Sequence, residues 1–170
     1  MESCDTDLLV GWAQEHGGLT AQRVRRGRDG LRLAFYGRTS TLDFQNRASS
    51  QAWQREVAEC VVFGRGVIVA EFFDAGFSRR LLWTERPEAA ALLAALADPD
   101  REFDAIVVGE YERAFFGDQL QHLLPLFHRH GVQLWLPETA GPLDLADPTH
   151  RALLLMLAAQ SRFQLATTAP

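Results

Sequence analysis

Cysteine is scarce in this chain: Cys4 and Cys60 are the only two among 170 residues. Two are too few for a disulfide framework, and no CxxC or clustered Cys/His spacing reads as a zinc site. Reduced thiols in the cytoplasm are the expectation. Long apolar runs are missing too, since none reaches the roughly 20 residues that a membrane-spanning helix requires. The first residues, "MESCDTDLLVGWAQEHGG", carry acids early and lack the charged-then-apolar build of a signal peptide. Neither a G-x-G-x-x-G nor a Walker A pattern occurs, so nothing in the sequence favours a nucleotide cradle. Internal repeats and low-complexity tracts are absent as well.

A basic balance is also lacking. The formal net charge is −5, which argues against a stand-alone nucleic-acid binder with a broad basic face. One local exception is "RVRRGRDG", with Arg23, Arg25, Arg26 and Arg28 close together. It reads as a solvated basic linker first and as a phosphate-contacting arm second. What is present is a hydrophobic share of 47% with 23% charged residues, the composition of one globular domain with a single core.

Residues 1–30 form a leader, with a short amphipathic helix expected around Thr6–Glu15 followed by Gly17-Gly18 and the basic stretch. From Leu31 the pattern becomes regular. Apolar β-type runs occur at "LRLAFY", "GVIVAEFF", "FDAIVVGE" and "VQLWLP", with helical patterns near Ala48–Val62, Pro87–Ala97, Gly117–His130 and Pro148–Phe163 between or after them. Short strands alternating with longer amphipathic helices predict an α/β fold with an open, mainly parallel sheet flanked by helices. The run Ala105-Ile106-Val107-Val108 has no alternation, as a central strand covered on both faces would have none. Pro87 suits a first helical turn and Gly131 a helix end.

In open α/β sheets ligands bind outside the carboxyl ends of the strands, and that makes "LAFYGRTSTLDFQ" informative. Ser40 lies just past the first strand, and Tyr36, Arg38 and Ser40 at spacing two share one side. Arg38 offers a planar fork of donors to an anion that the Ser40 hydroxyl also reaches. The second strand leads into a loop with Asp74, Ser78, Arg79, Arg80 and Arg86, and the third into Glu112 and Arg113. Arginines thus gather at one rim, as attack on a phosphate would need. By residue type alone, Arg79 and Arg80 read as a solvated loop edge. His128 and His130 read as helix-terminal cations rather than metal ligands, because i and i+2 diverge on a helix. Trp53, Trp83 and Trp135 read as packing groups. Leu153, Leu154, Leu157 and Ala158 keep helical spacing and read as buried, against the sheet or against another subunit.

These residues in this order resemble the catalytic domain of the serine site-specific recombinases, the resolvases, invertases and large serine integrases. The look is that of actinobacterial recombinase-like proteins. The signature Tyr-x-Arg-x-Ser-Thr stands as Tyr36, Arg38, Ser40 and Thr41, the helix glutamine as Gln54, and the D-x-G-x-S…R-P segment as Asp74, Gly76, Ser78, Arg86 and Pro87. The D-R-x-x-R segment stands as Glu112-Arg113-Ala114-Phe115-Phe116. The resemblance implies a catalytic domain over residues 31–165, with 166–170 a frayed end and the family's DNA-binding region absent. It implies Ser40 as the nucleophile that forms a phosphoserine link to one DNA end. Arg38, Arg86 and Arg113 would bind the DNA phosphate, Gln54 would position, Glu112 would orient an arginine or move a proton, and Tyr36, Asp74 and Ser78 would support. No metal or other cofactor is implied. The implied partners are double-stranded DNA and further copies of the chain, as a homodimer that becomes a tetramer in synapsis.

Departures from the pattern are specific. Phe116 stands where the family has a second arginine, Glu112 where it has aspartate, and Phe44 where a polar residue is frequent, with Gln45 beside it. Phe116 bears on competence, so a non-catalytic dimerisation or regulatory module, or a degenerate remnant, is the rival reading. An α/β small-anion binder is the third.

Overall fold

A computed structural model describes residues 30–40 and 47–166. The predicted leader helix, the basic stretch, Phe44, Gln45 and the chain's last four residues lie outside the described residues. Among the described residues five strands form one sheet in the order β2-β1-β3-β4-β5. They are β1 (Leu31–Thr39), β2 (Gly66–Ala75), β3 (Ala105–Val108), β4 (Gln133–Leu136) and β5 (Gly141–Pro142). The first four are mutually parallel, and only the two-residue β5 runs antiparallel, against β4. The helices are α1 (Arg47–Val62), α2 (Pro87–Leu96), the single turn α3 (Tyr111–Ala114), α4 (Gln119–Arg129) and α5 (Pro148–Ala166).

The period-two alternation of strand side chains sorts the core into two layers. Ala34, Tyr36, Ile106, Val108, Leu134 and Leu136 face Leu92 and Leu96 of α2, Leu124 and Phe127 of α4 and Leu154 of α5. Leu31, Leu33, Phe35, Ala105, Val107 and Trp135 face Ala58 and Val62 of α1. All four residues of β3 are buried, as the unalternating run predicts, and so are eight of the nine in β1. β2 is an edge strand. Its register against β1 slips by one where Leu33 pairs with Ile68 but Ala34 with Ala70, a bulge that leaves Val69 turned to solvent.

Helix ends follow the chain's punctuation. Pro87 opens α2, and Gly131 closes α4 with φ of 68°, a conformation only glycine adopts without strain. Trp83 and Trp135 pack as expected, whereas Trp53 is 50% exposed because it sits on the outer side of α1. Leu154 is buried and Leu157 packs against the same cluster.

Two features place the site. β1 lies between β2 and β3, so the chain leaves β1 toward one neighbour and returns on its other side. The crevice at the carboxyl ends of β1 and β3 is therefore the switch point where open sheets of this kind bind ligands. Ser40 after β1, the loop after β2 and the turn after β3 meet there.

Candidate active site at the sheet switch point

The end of β1 is held by the loop after β2. Gly76, with φ of 84°, turns the chain so that its own N–H (3.0 Å) and that of Phe77 (3.3 Å) both donate to the Thr39 carbonyl. Half-buried Ser40 follows immediately, at the mouth of the crevice.

Arg38 is fixed from both sides. The buried Gln54 side chain on α1 behaves like a neighbouring strand: its Oε1 accepts from the Arg38 N–H (3.2 Å) and its Nε2 donates to the Arg38 carbonyl (3.0 Å). Gly109 makes this approach possible, since a Cβ there would lie 2.6 Å from the Gln54 carbonyl oxygen. The Arg38 guanidinium donates through Nε to the Arg113 carbonyl (2.6 Å) and through Nη1 to the Phe77 carbonyl (2.5 Å). Burial, reinforced by the charge of Arg86 and then of Arg113 and Arg79, brings the Arg38 pKa down to about 10. The group stays cationic at neutral pH but is held at a cost, so an anion beside it would relieve that cost.

Arg86 is 0% exposed, and each of its five N–H donors has an acceptor. Nε donates to the Leu81 carbonyl, Nη1 to the Ala114 carbonyl (2.7 Å) and to the Tyr36 hydroxyl (3.2 Å), and Nη2 to the Arg79 carbonyl (2.7 Å) and to Gln119 Oε1 (3.0 Å). Tyr36 passes the link on by donating to Asp74 Oδ2 (2.9 Å), and burial pushes its hydroxyl pKa up. Asp74 in turn accepts from the N–H groups of Glu88 and Ala89. It supplies the anion that the α2 N-terminus favours and that Arg86, as the residue before Pro87, does not. Above this network Trp83 stacks on Phe115, with rings 5.3 Å apart and 1° from parallel, and donates to the Ala114 carbonyl (3.0 Å).

The family resemblance implies that Arg86 binds a DNA phosphate. In this arrangement its guanidinium lies under the rim, not on it, because every donor is already used. Arg38, Arg113, Gln54, Tyr36 and Asp74 lie together at this end of the sheet. Ser78 is exposed and its hydroxyl accepts from the Arg80 N–H, a turn contact in the β2 loop. Glu112 is half-buried on α3 beside Arg113.

Three residues at this rim were not singled out by sequence. Glu110 pairs with Arg113 (3.3 Å). Glu138, after β4, accepts from the Tyr111 N–H (2.8 Å) at the start of α3, while its Oε2 is buried without a partner. Burial raises the Glu138 pKa, with the charges of Glu110 and Glu112 adding to it and the hydrogen bond from the Tyr111 N–H opposing. Gln119 contacts Arg86. Only the β4 terminus at the same sheet edge could have pointed to Glu138, and α4's first residue to Gln119.

A parallel sheet carrying a serine and clustered arginines at its switch point suits chemistry on a phosphate. Comparison with known proteins gives this layout its class. Residues 33–169 match the family described as "Resolvase, N terminal domain", and the chain belongs to that family. It is the catalytic domain of a serine recombinase, a class whose general mechanism runs through a phosphoserine link to DNA. A resolvase family site-specific recombinase from Streptococcus pneumoniae shares the fold at 17% identity and a TM-score of 0.56, over 81% of this chain and 91% of that one. The C-terminal catalytic domain of ISC1926 TnpA, an IS607-like serine recombinase, does so at 18% identity and a TM-score of 0.50, over 78% and 82%. The N-terminal catalytic domain of TP901-1 integrase aligns at 20% identity and a TM-score of 0.48, over 81% of this chain and 99% of that one. No curated protein sequence matches the chain.

Arg86→Lys keeps the charge but cannot serve the five acceptors. It is expected to cost on the order of 3 kcal/mol, read as a lower urea midpoint at unchanged slope. Glu138→Gln is expected to raise Tm at neutral pH. Its raised carboxyl pKa means that the neutral form is favoured on folding, so ionisation costs stability as pH rises through the folded-state value. The gain should shrink as pH falls toward the ordinary glutamate range, and a pH series of melting curves checks both parts.

Proposed function

We infer that this domain is a competent DNA strand-exchange enzyme with Ser40 as its nucleophile. The observation that carries the reading is the placement of half-buried Ser40 at the switch point, directly beyond an Arg38 clamped by Gln54 and bonded to the Arg113 backbone. The Ser40 Oγ bonds to a DNA phosphorus as the P–O3′ bond breaks. The hydroxyl proton leaves Oγ, and the departing 3′-oxygen takes up a proton. Attack by a 3′-hydroxyl of another end reverses these steps and restores the serine, so energy is conserved in the phosphoserine bond.

Arg38 and Arg113 hold the phosphate and offset its charge in the transition state. Arg86 organises the turn that carries Arg113, Gln54 fixes the Arg38 backbone, and Glu112 orients an arginine or moves a proton. Tyr36 and Asp74 tie β1 to α2 behind the rim, and Ser78 shapes the β2 loop. The substrate is double-stranded DNA in the cytoplasm, bound through phosphates and therefore with steep salt dependence.

The chain works as a homodimer that pairs into a tetramer. The support for this is on α5, where Ala152, Met156, Ala159 and Phe163 recur at helical spacing on the outward side, Met156 at 67% and Phe163 at 75% exposure. An exposed apolar stripe of that kind is suited to a second copy. The same helix touches the rim, because Ser161 Oγ accepts from the Gly117 N–H (2.9 Å).

A covalent-adduct assay tests the catalytic reading. The chain, joined to a DNA-binding domain of known target, is mixed with DNA carrying that target and analysed on a denaturing gel. A slowed band that is absent in Ser40→Ala is expected. An adduct that persists in Ser40→Ala would sink the assignment, and an adduct seen only in Phe116→Arg would mean a site disabled at that position. Met156→Glu is expected to shift the chain from dimer to monomer in light scattering, with folding intact by circular dichroism.

A further inference from the structure

Phe116 leaves the D-R-x-x-R segment one guanidinium short, and the structure shows what occupies that neighbourhood. The Arg79 guanidinium carbon lies 5.6 Å from the centre of the Phe116 ring, a cation held over an aromatic face. Arg79 comes from a different loop, the one after β2. Its side chain is half-buried, in contrast to the wholly enclosed Arg86 and the exposed Arg80.

The backbone at Arg79 is pinned more firmly than a loop edge would be. Its carbonyl accepts from both Arg86 Nη2 (2.7 Å) and Gln119 Nε2 (3.0 Å), and the Leu81 carbonyl accepts from both Arg86 Nε (3.0 Å) and Gln119 Nε2 (3.1 Å). Gln119 Oε1 closes the ring by accepting from Arg86 Nη2 (3.0 Å) and from the Phe116 N–H (3.2 Å). The buried Gln119 amide thus uses its full capacity, two hydrogens given and two accepted. It joins the loop bearing Arg79 to the residue on whose ring Arg79 rests. Arg79 is also close enough to Arg38 to disfavour its charge, so the two cations address one region.

We propose that Arg79 is a phosphate-contacting residue of this site, held at the rim by Gln119, by Arg86 from behind and by the face of Phe116. The cation that position 116 does not provide arrives from the β2 loop, on a backbone that the buried network holds fixed. The inference rests on reading the rim as a DNA-phosphate site. It also assigns the neighbouring parts: Arg86 and Gln119 act through Arg79 and the Arg113 turn, as positioning residues.

The test measures binding of a short labelled DNA duplex by the full chain as salt is varied, together with the adduct assay on the fused chain. Arg79→Gln is compared with Arg79→Lys and with Arg129→Gln, an exposed arginine at the last turn of α4. Each lost phosphate contact lowers the slope of log affinity on log salt by about 0.9, and that drop is expected for Arg79→Gln and not for Arg129→Gln. Adduct yield should fall on the order of a hundredfold in Arg79→Gln. Arg79→Lys should keep the slope while losing most of the adduct, because a point charge replaces the fork. A slope unchanged in Arg79→Gln, in a variant shown to be folded by circular dichroism, overturns the proposal. If Arg79→Gln lowers the slope but the wild-type chain forms no adduct, it is the catalytic reading that fails and the Arg79 contact stands. If the wild-type chain does not bind duplex at all, both fail.

Discussion

The arrangement of this site depends on a single enclosed cation. The Arg86 guanidinium is cut off from solvent and is tolerated there because carbonyl, hydroxyl and amide oxygens take all five of its N–H groups. Those acceptors belong to β1, to the loop after β2, to the turn after β3 and to the start of α4. A planar, rigid fork therefore fixes four chain segments relative to one another. Asp74 balances it at one remove, through the Tyr36 hydroxyl, while satisfying the open N–H groups of α2.

Around that centre the rim is assembled from backbone as much as from side chains. The Arg113 carbonyl receives Arg38, the Thr39 carbonyl receives Gly76 and Phe77, and Gln54 reads both polar groups of the Arg38 peptide. Lysine does not occur in the chain, so all 17 of its Lys/Arg positions are arginine. The guanidinium fork fits this construction, because it bonds several carbonyls in one plane where an ammonium would act as a point charge. Glu110, Glu112 and Glu138 border the same rim and keep its charge from being uniformly positive.

The fold was largely legible because its signals are periodic and local. β3 reads as covered on both faces from four apolar residues in a row, and it is. Pro87 and Gly131 mark helix ends for reasons of their own backbone geometry. Elements without such a signal were not visible: α3 is one turn long, β5 is two residues, and the β2 bulge at Val69 arises from pairing with β1. Trp53 shows the limit from the other side, since an aromatic at helical spacing faces solvent when α1 already has its inner face filled by Ala58 and Val62.

Residue type and order determined the open α/β architecture, the switch-point location of Ser40 and the list of arginines at the strand ends. Those follow from side-chain period, backbone constraints at glycine and proline, and the rule that strand ends carry ligands. What only the tertiary structure decided is which arginine is enclosed and which stays at the rim. Arg79 and Arg86 look alike in sequence, a few positions apart in one loop, yet one is half-buried over a phenyl ring and the other is fully enclosed. That difference comes from hydrogen-bond partners far along the chain, Ala114 and Gln119 above all, and long-range acceptors leave no local trace in the residues they serve.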